Sequence, residues 1–246
     1  MPDYLTTDQG RRIAYHLTQG EGPAVVFLGG FKSDMQGTKA LHLQAWAESQ
    51  GRAFLRFDYS GHGESSGAFT DGCIGDWFAD ASAALSLIDG PAVLVGSSMG
   101  GWISLLVARA MPEKVAGLMT IAAAPDFTED SMWAGFTKAQ KAELMAGQVA
   151  LPSDYGEPYI ITRRLIEEGR TRLVLRDPLP LPFPVRFLQG TADADVDMSV
   201  ALRLLDHAEG PDMRLTLVKG ADHRFSDDDC LNLIVASVTE VLARAT

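Results

Sequence analysis

Cysteine is scarce in this 246-residue chain: Cys73 and Cys230 stand far apart, with no paired spacing. Neither a disulfide framework nor a cysteine-ligated zinc site is expected from them. Basic residues are also in deficit, 21 against 32 acidic ones, for a formal net charge of −11 and a sequence pI of about 4.8. Such a surface repels phosphate backbones and anionic lipid, so no nucleic-acid partner is expected. No apolar run approaches the roughly 20 residues of a membrane-spanning helix. The stretch Met1 to Asp8 has no basic region followed by an apolar one. With so little cysteine, the expectation is a cytoplasmic protein in a reducing compartment. Repeats and low-complexity segments are missing too. What is present is a chain of one domain's length, 46% hydrophobic, long enough to bury a sizeable core.

The most informative stretch is Leu94-Val95-Gly96-Ser97-Ser98-Met99-Gly100-Gly101-Trp102, where an apolar run stops at a Gly-x-Ser-x-Gly and a helical pattern begins at once. Ala92 to Val95 has strand composition, whereas Ile103, Leu106 and Val107 recur at helical spacing within Met99 to Met111. A strand that turns into a helix within so few residues strains its turn residue. Small neighbours make room for it, and the hydroxyl of Ser98 is held out at the carboxyl edge of the sheet.

The rest of the chain alternates strands and helices around this turn. Tyr4-Leu5 and Ile13 to His16 read as an opening hairpin, and Pro23 to Leu28 as a strand buried on both faces that breaks at Gly29-Gly30-Phe31. A helix Thr38 to Ser49 leads to a strand Ala53 to Phe57, which implies a parallel sheet, and a helix Gly75 to Ile88 precedes the central turn. The strand Val115 to Ala122 follows it. Between Pro125 and Pro182 the rhythm fails. The amphipathic Glu129 to Ala146, the turn-forming Pro152-Ser153-Asp154-Tyr155-Gly156, a segment Tyr159 to Glu168 and a proline-rich end make up an insertion. Because it follows a strand whose end faces the site, residues 125–182 are expected to cap a pocket, with 1–124 and 183–246 as the core. The rhythm resumes with Val185 to Leu188, a helix Met198 to His207, a strand Met213 to Val218 and a final helix, with Ser226 as its N-cap and Asp227, Asp228 and Asp229 in its first turn. This is an α/β fold with a mostly parallel central sheet flanked by helices.

A serine hydroxyl is a poor nucleophile at neutral pH and needs a base, which in turn needs a group to fix its tautomer. His223, in Gly220-Ala221-Asp222-His223, lies late in the chain just past a strand end. His42 and His207 fall in helical patterns, His16 in a strand. His62 precedes the nucleophile in a glycine-punctuated turn and is read as holding neighbouring backbone rather than as the base. For the acid, Asp193, Asp195 and Asp197 share one loop, and Asp193 is chosen for its distance from the strand end, with Asp195 next. The oxyanion of an acyl intermediate needs preorganised donors. They are assigned to the backbone N–H groups of Met99 and of Phe31, where Gly29 and Gly30 let the backbone approach.

Together these pieces resemble the α/β-hydrolase superfamily over nearly the whole chain. Within it, Gly37-Thr38-Lys39-Ala40-Leu41, Arg56-Phe57-Asp58-Tyr59-Ser60-Gly61, Gly90-Pro91, the Leu94–Trp102 stretch, Pro112-Glu113-Lys114-Val115 and Asp222-His223-Arg224 are similar to the mitochondrial acyl-glucuronide esterase and palmitoyl-protein thioesterase group, of which the composition suggests a bacterial relative. The resemblance implies Ser98, Asp193 and His223 as triad, hydrolysis of esters or thioesters, and no cofactor or metal. Gly29-Gly30 and Gln189-Gly190 stand where His-Gly is often found, and Asp197 where proline often follows Val196. A small-molecule acyl substrate is expected, with a monomer favoured. An aminopeptidase or carbon–carbon bond hydrolase could use the same triad, and a non-catalytic binding protein of this fold normally lacks one member of it. Gly30, Trp102, Tyr159, Arg163 and Arg164 are candidates for substrate contact. The two arginines are singled out because, on a helix, Ile161, Leu165 and Glu168 share a face about a quarter-turn from Arg164.

Overall fold

From Glu21 onward, short apolar runs alternate with helices, and a crossover helix returns each strand parallel to the one before it. The computed structural model describes residues 1–152 and 158–245. It forms an eight-stranded sheet in the order Asp3–Thr6, Arg12–Thr18, Arg52–Phe57, Glu21–Leu28, Ala92–Ser97, Val115–Ile121, Val185–Gly190 and Met213–Val218. Only the pairings of Arg12–Thr18, with its hairpin partner and with Arg52–Phe57, are antiparallel. The other neighbours run parallel.

The central runs are continuously apolar because both faces are covered. Val25, Phe27, Val93 and Val95 face the helices Thr38–Ser49 and Asp228–Arg244 through Leu43, Ala47, Ile234 and Val238. The alternate residues Val26, Leu28 and Leu94 face the helices Ile74–Leu85 and Met99–Ala110 through Trp77, Trp102 and Leu105. Fully burying each such side chain stabilises the fold by about 1.5 to 3 kcal/mol. From Glu21–Leu28 the chain crosses to Arg52–Phe57 on one side, then returns to Ala92–Ser97 on the other. A crevice opens at the carboxyl ends of strands where the order reverses in this way. Ser98 and the turn Gly29–Lys32 both lie there.

The insertion departs in detail from the sequence expectation. The amphipathic Glu129 to Ala146 is divided between two helical elements. A π-helical turn, Thr128–Trp133, is followed after Phe136 by a separate helix, Lys138–Met145. The break has a local cause: Thr137 caps the second helix, accepting from Gln140 N while the Gln140 side chain accepts from Thr137 N. The segment Tyr159 to Glu168 is also divided. Tyr159–Thr162 pairs antiparallel with Gln148–Leu151, and the helix starts only at Arg163, with Thr162 as its N-cap. The run of Tyr159-Ile160-Ile161-Thr162 is β-branched and aromatic, so strand pairing wins over the helical period. Of the expected turn, Ser153 to Gly156 lie outside the described residues. Buried Asp126 ties the two ends of the insertion together, accepting from Val174 N at 2.8 Å and Leu175 N at 3.0 Å. Two ends are corrected elsewhere. The helix expected to reach Ile88 stops at Leu85, and the last helix is capped by Asp227, whose carboxylate accepts from Cys230 N at 2.8 Å, not by Ser226.

Candidate active site

The turn between Ala92–Ser97 and Met99–Ala110 places Ser98 at φ 53°, ψ −117°. A non-glycine residue in this conformation is strained and persists only where its surroundings over-determine it. Here they do. Ser98 N donates to Ile121 O at 2.9 Å, and Ser98 O accepts from Gly101 N and Ala124 N. The helix also crosses close to the sheet: a Cβ added to Gly100 would lie 2.0 Å from Leu28 O, and one added to Gly96 would lie 2.4 Å from Gly100 O. The glycines are therefore required by the crossing itself.

His223 Nε2 lies 3.1 Å from Ser98 Oγ, and its Nδ1 lies 2.8 Å from Asp193 Oδ2. The three groups come from loops after three different strands, and the structure brings them into one hydrogen-bonded chain. The Asp193 side chain is 1% exposed. Its burial raises the carboxyl, but the bonds to His223 and to Val196 N outweigh it, so the group sits below the usual aspartate value. Its other oxygen, Oδ1, accepts from Asp195 N at 2.9 Å and Val196 N at 2.8 Å. The neighbouring acids are placed differently. Asp197 is exposed and caps the next helix through Ser199 N, and Asp195 lies on the pocket wall. Asp193, Asp195 and His223 form the one acid and imidazole group within 4.8 Å among the described residues.

The turn after Glu21–Leu28 runs beside the serine. A Cβ on Gly30 would lie 3.4 Å from Ser98 Cβ. Phe31 adds a ring to an aromatic cluster with Phe69 at 4.8 Å, Phe127 at 5.5 Å and Tyr159 at 5.8 Å between centroids. A pocket of about 640 Å³ opens over Ser98 and His223. Its lining includes the apolar Phe31, Phe127, Met132 and Tyr159 and the polar Ser33, Thr38, Lys39 and Asp195. A second cavity, of about 580 Å³, lies among Pro91, Pro112, Pro182 and Phe183 and contains neither a serine nor a histidine.

Other expected contact residues are not brought to the pocket. Trp102 is fully buried, its Nε1 donating to Arg172 O at 3.2 Å. Arg163 pairs with Glu167 at 2.8 Å. Arg164 pairs with Asp76 at 2.6 Å and donates to the Asp71 carbonyl. Both arginines hang on the surface because the helix that carries them turns Leu165 and Ile166 inward. Two residues that line or support the site escaped notice as candidates. Lys39 lies on the pocket wall and donates to the Arg224 carbonyl, and burial pushes it down to about 8. Gln189 is fully buried, with Nε2 reaching Asp193 Oδ2 at 3.0 Å, Val196 O at 3.1 Å and Gly190 O at 3.2 Å. Lys39 lies in the stretch Gly37 to Leu41 that carries the resemblance, but nothing in its spacing points it at the pocket. Gln189 does stand out as a polar residue next to the end of a buried strand, directly after Phe187 and Leu188.

Comparison with known proteins follows the same lines. A family model described as serine aminopeptidase, S33 (Hydrolase_4), matches residues 22–179. The mitochondrial palmitoyl-protein thioesterase ABHD10 of Rattus norvegicus is 35% identical over 233 residues, which cover 94% of this chain and 78% of that protein. Among solved structures, a putative hydrolase from Agrobacterium vitis S4 superposes with a TM-score of 0.95 at 39% identity, covering 98% of each chain. The mouse α/β-hydrolase domain-containing protein 10 does so with 0.92 at 32% identity, covering all of both chains. The mitochondrial relatives overturn the expectation of a cytoplasmic protein. That expectation rested on features that do not decide an address. Targeting signals are read by receptors from segments apart from the fold, and a low cysteine count separates only reducing from oxidising compartments.

Proposed function

The chain belongs to the α/β-hydrolase family and is a hydrolase of the esterase and thioesterase class, and from that premise we propose that it works through an acyl-enzyme on Ser98, with His223 as base and Asp193 as the orienting acid. The observation that carries this reading is the hydrogen-bonded chain from Ser98 Oγ through the His223 ring to Asp193 Oδ2. Asp193 holds the proton on Nδ1, leaving the Nε2 lone pair facing the hydroxyl. As Ser98 Oγ attacks the acyl carbon, its proton passes to His223 Nε2 and the carbonyl oxygen becomes an oxyanion. The N–H groups of Phe31 and Met99 stabilise that charge, each such donor being worth about 3 to 4 kcal/mol in serine hydrolases. The intermediate collapses, the carbon–sulfur or carbon–oxygen bond breaks, and His223 returns the proton to the leaving thiolate or alkoxide. Water then repeats the sequence and frees the acid.

Relatives named palmitoyl-protein thioesterase support a long acyl chain as one part of the substrate. The apolar lining residues Phe31, Phe127, Met132 and Tyr159 suit that chain, and the polar Ser33, Thr38 and Lys39 in the same pocket suit a hydrophilic leaving group. Residues 125–182 supply Phe127, Met132 and Tyr159, which is the contribution of a cap. The test is a panel of p-nitrophenyl esters and S-acyl thioesters of graded chain length, read beside fluorophosphonate labelling of native protein and Ser98→Ala. Hydrolysis and labelling lost together in the variant support the reading. Turnover above the ~10³ to 10⁴-fold over water that remains without a nucleophile would sink it.

A further inference from the structure

His62 is the buried histidine of the chain, 4% exposed, and a side chain without solvent must satisfy its ring nitrogens on its neighbours. Nδ1 lies 3.1 Å from Ser60 O, a group that can only accept, so Nδ1 carries the proton. Nε2 then has only its lone pair, which accepts the Lys32 N–H at 3.1 Å. Burial holds the ring below the ordinary histidine value, against weaker opposing pulls from the Ser60 carbonyl and Asp80. A neutral ring is what this arrangement needs, since a proton on Nε2 would face the Lys32 N–H.

The bond matters because of where Lys32 stands. It follows Phe31 directly and has φ 57°, a left-handed conformation that is unfavourable for any residue with a Cβ. The turn therefore needs an external hold. The histidine is itself fixed: its ring packs edge-on against Phe69 at 5.3 Å and Trp77 at 5.2 Å, which also carry the Phe31 ring. Ser60 is tied in turn by its N–H and hydroxyl to Asp80 at 2.9 and 2.6 Å, and Asp80 pairs with Arg11 at 2.7 Å.

We propose that His62 is a positioning residue for the oxyanion hole, aiming the Phe31 N–H at the developing oxyanion through the hydrogen bond it accepts from the Lys32 N–H. The inference rests on the reading of Phe31 as a donor in an acyl-transfer site. His62 touches no reacting atom. Its loss acts on transition-state stabilisation and spares binding of the ground state.

The test compares His62→Gln, which keeps an acceptor at the reach of Nε2, with His62→Met, of the same size but with only a weak sulfur acceptor. Met should lower kcat for a p-nitrophenyl ester by about 30- to 100-fold, approaching the loss of one oxyanion donor, with KM changed less than about twofold. A trifluoromethyl ketone that mimics the tetrahedral oxyanion should weaken by the same factor, while inhibition by the free fatty acid stays as in the native protein. Gln should restore most of kcat. Equal kcat in the two variants, or a loss in Met that the ketone does not share, overturns the proposal. Where neither variant folds, the native protein decides it by nitrogen-15 NMR. Nδ1 must be the protonated nitrogen of His62, and the Lys32 amide must be slow to exchange; an Nε2–H tautomer overturns the assignment. A native protein that neither hydrolyses the ester nor takes the fluorophosphonate label refutes the acyl-enzyme reading instead, and the NMR result stands apart from that outcome.

Discussion

Gln189 Nε2 lies 3.0 Å from Asp193 Oδ2, the same carboxylate oxygen that faces His223 Nδ1 at 2.8 Å. The buried amide thus shares the Asp193 carboxylate with the His223 imidazole. Its orientation is forced, because turning the amide over would set Oε1 against Asp193, Gly190 O and Val196 O. The cost of this orientation is visible at Oε1, which is buried with no partner among the described residues. Gln189→Leu should leave the Val196 carbonyl unpartnered and Asp193 free to rotate. The expected result is a kcat lowered by roughly tenfold or more with KM little changed, in line with about 1.5 kcal/mol, the lower end for a hydrogen bond to a charged group. Steady-state kinetics on a neutral ester check this, and an unchanged kcat would show that the two backbone donors alone hold the acid.

The loop's three aspartates should separate in the same assay. Asp193→Asn is expected to lower kcat by about 10⁴-fold, the cost of a mis-set imidazole tautomer in other triads. Asp195→Asn and Asp197→Asn should change it by less than about threefold, because the carboxylate oxygen 2.8 Å from His223 Nδ1 belongs to Asp193, and Asp197 caps the next helix. Equal losses at Asp193 and Asp195 would reassign the acid.

Lys39 offers a test of stability against pH. Burial lowers it from 10.5 to about 8, so between these values the folded chain has released a proton that the unfolded chain still holds. The unfolded state binds more protons there, and stability from this group rises with pH. Lys39→Met removes the group, so the difference in Tm between variant and native protein should shift in favour of the native protein from about pH 7 to pH 10. Thermal melts across that range would show it, and a constant difference would mean that Lys39 keeps its ordinary affinity for the proton.

Replacing the surface arginines should not distinguish substrates by charge. Arg163 and Arg164 are about half exposed and occupied by Glu167, Asp76 and the Asp71 carbonyl, and exposed pairs are worth about 0 to 1 kcal/mol. Arg164→Met is expected to lower Tm slightly and to leave the ratio of KM for an anionic and a neutral ester of one acyl chain unchanged. A selective rise of KM for the anionic ester would bring the arginine back to the pocket.

The framework was readable before folding because it follows from local pattern. The run Val25 to Leu28 can only be a strand covered on both faces, and Met99 to Ala110 keeps helical spacing. The helices Thr38–Ser49 and Met198–His207 begin and end where the periodicity does. The elbow was readable for the same reason, since Gly96 and Gly100 flank a serine at a change of period. The insertion was not. In Tyr159 to Glu168 helical and extended patterns compete, and pairing with Gln148–Leu151 decides the outcome; in Glu129 to Ala146 capping by Thr137 sets where the second helix starts.

The sequence by itself determined the strand order's raw material, the strained serine between small residues, and the chain order of serine, acid and histidine, because each depends on neighbours within a few positions. Tertiary structure alone decided which aspartate meets His223, that Lys39 enters the pocket, and that Arg164 turns away to Asp76. Those contacts join residues separated by 30 positions for Asp193 and His223 and by 88 for Arg164 and Asp76. Side-chain direction at such a distance is set by packing of whole elements, which no local spacing encodes.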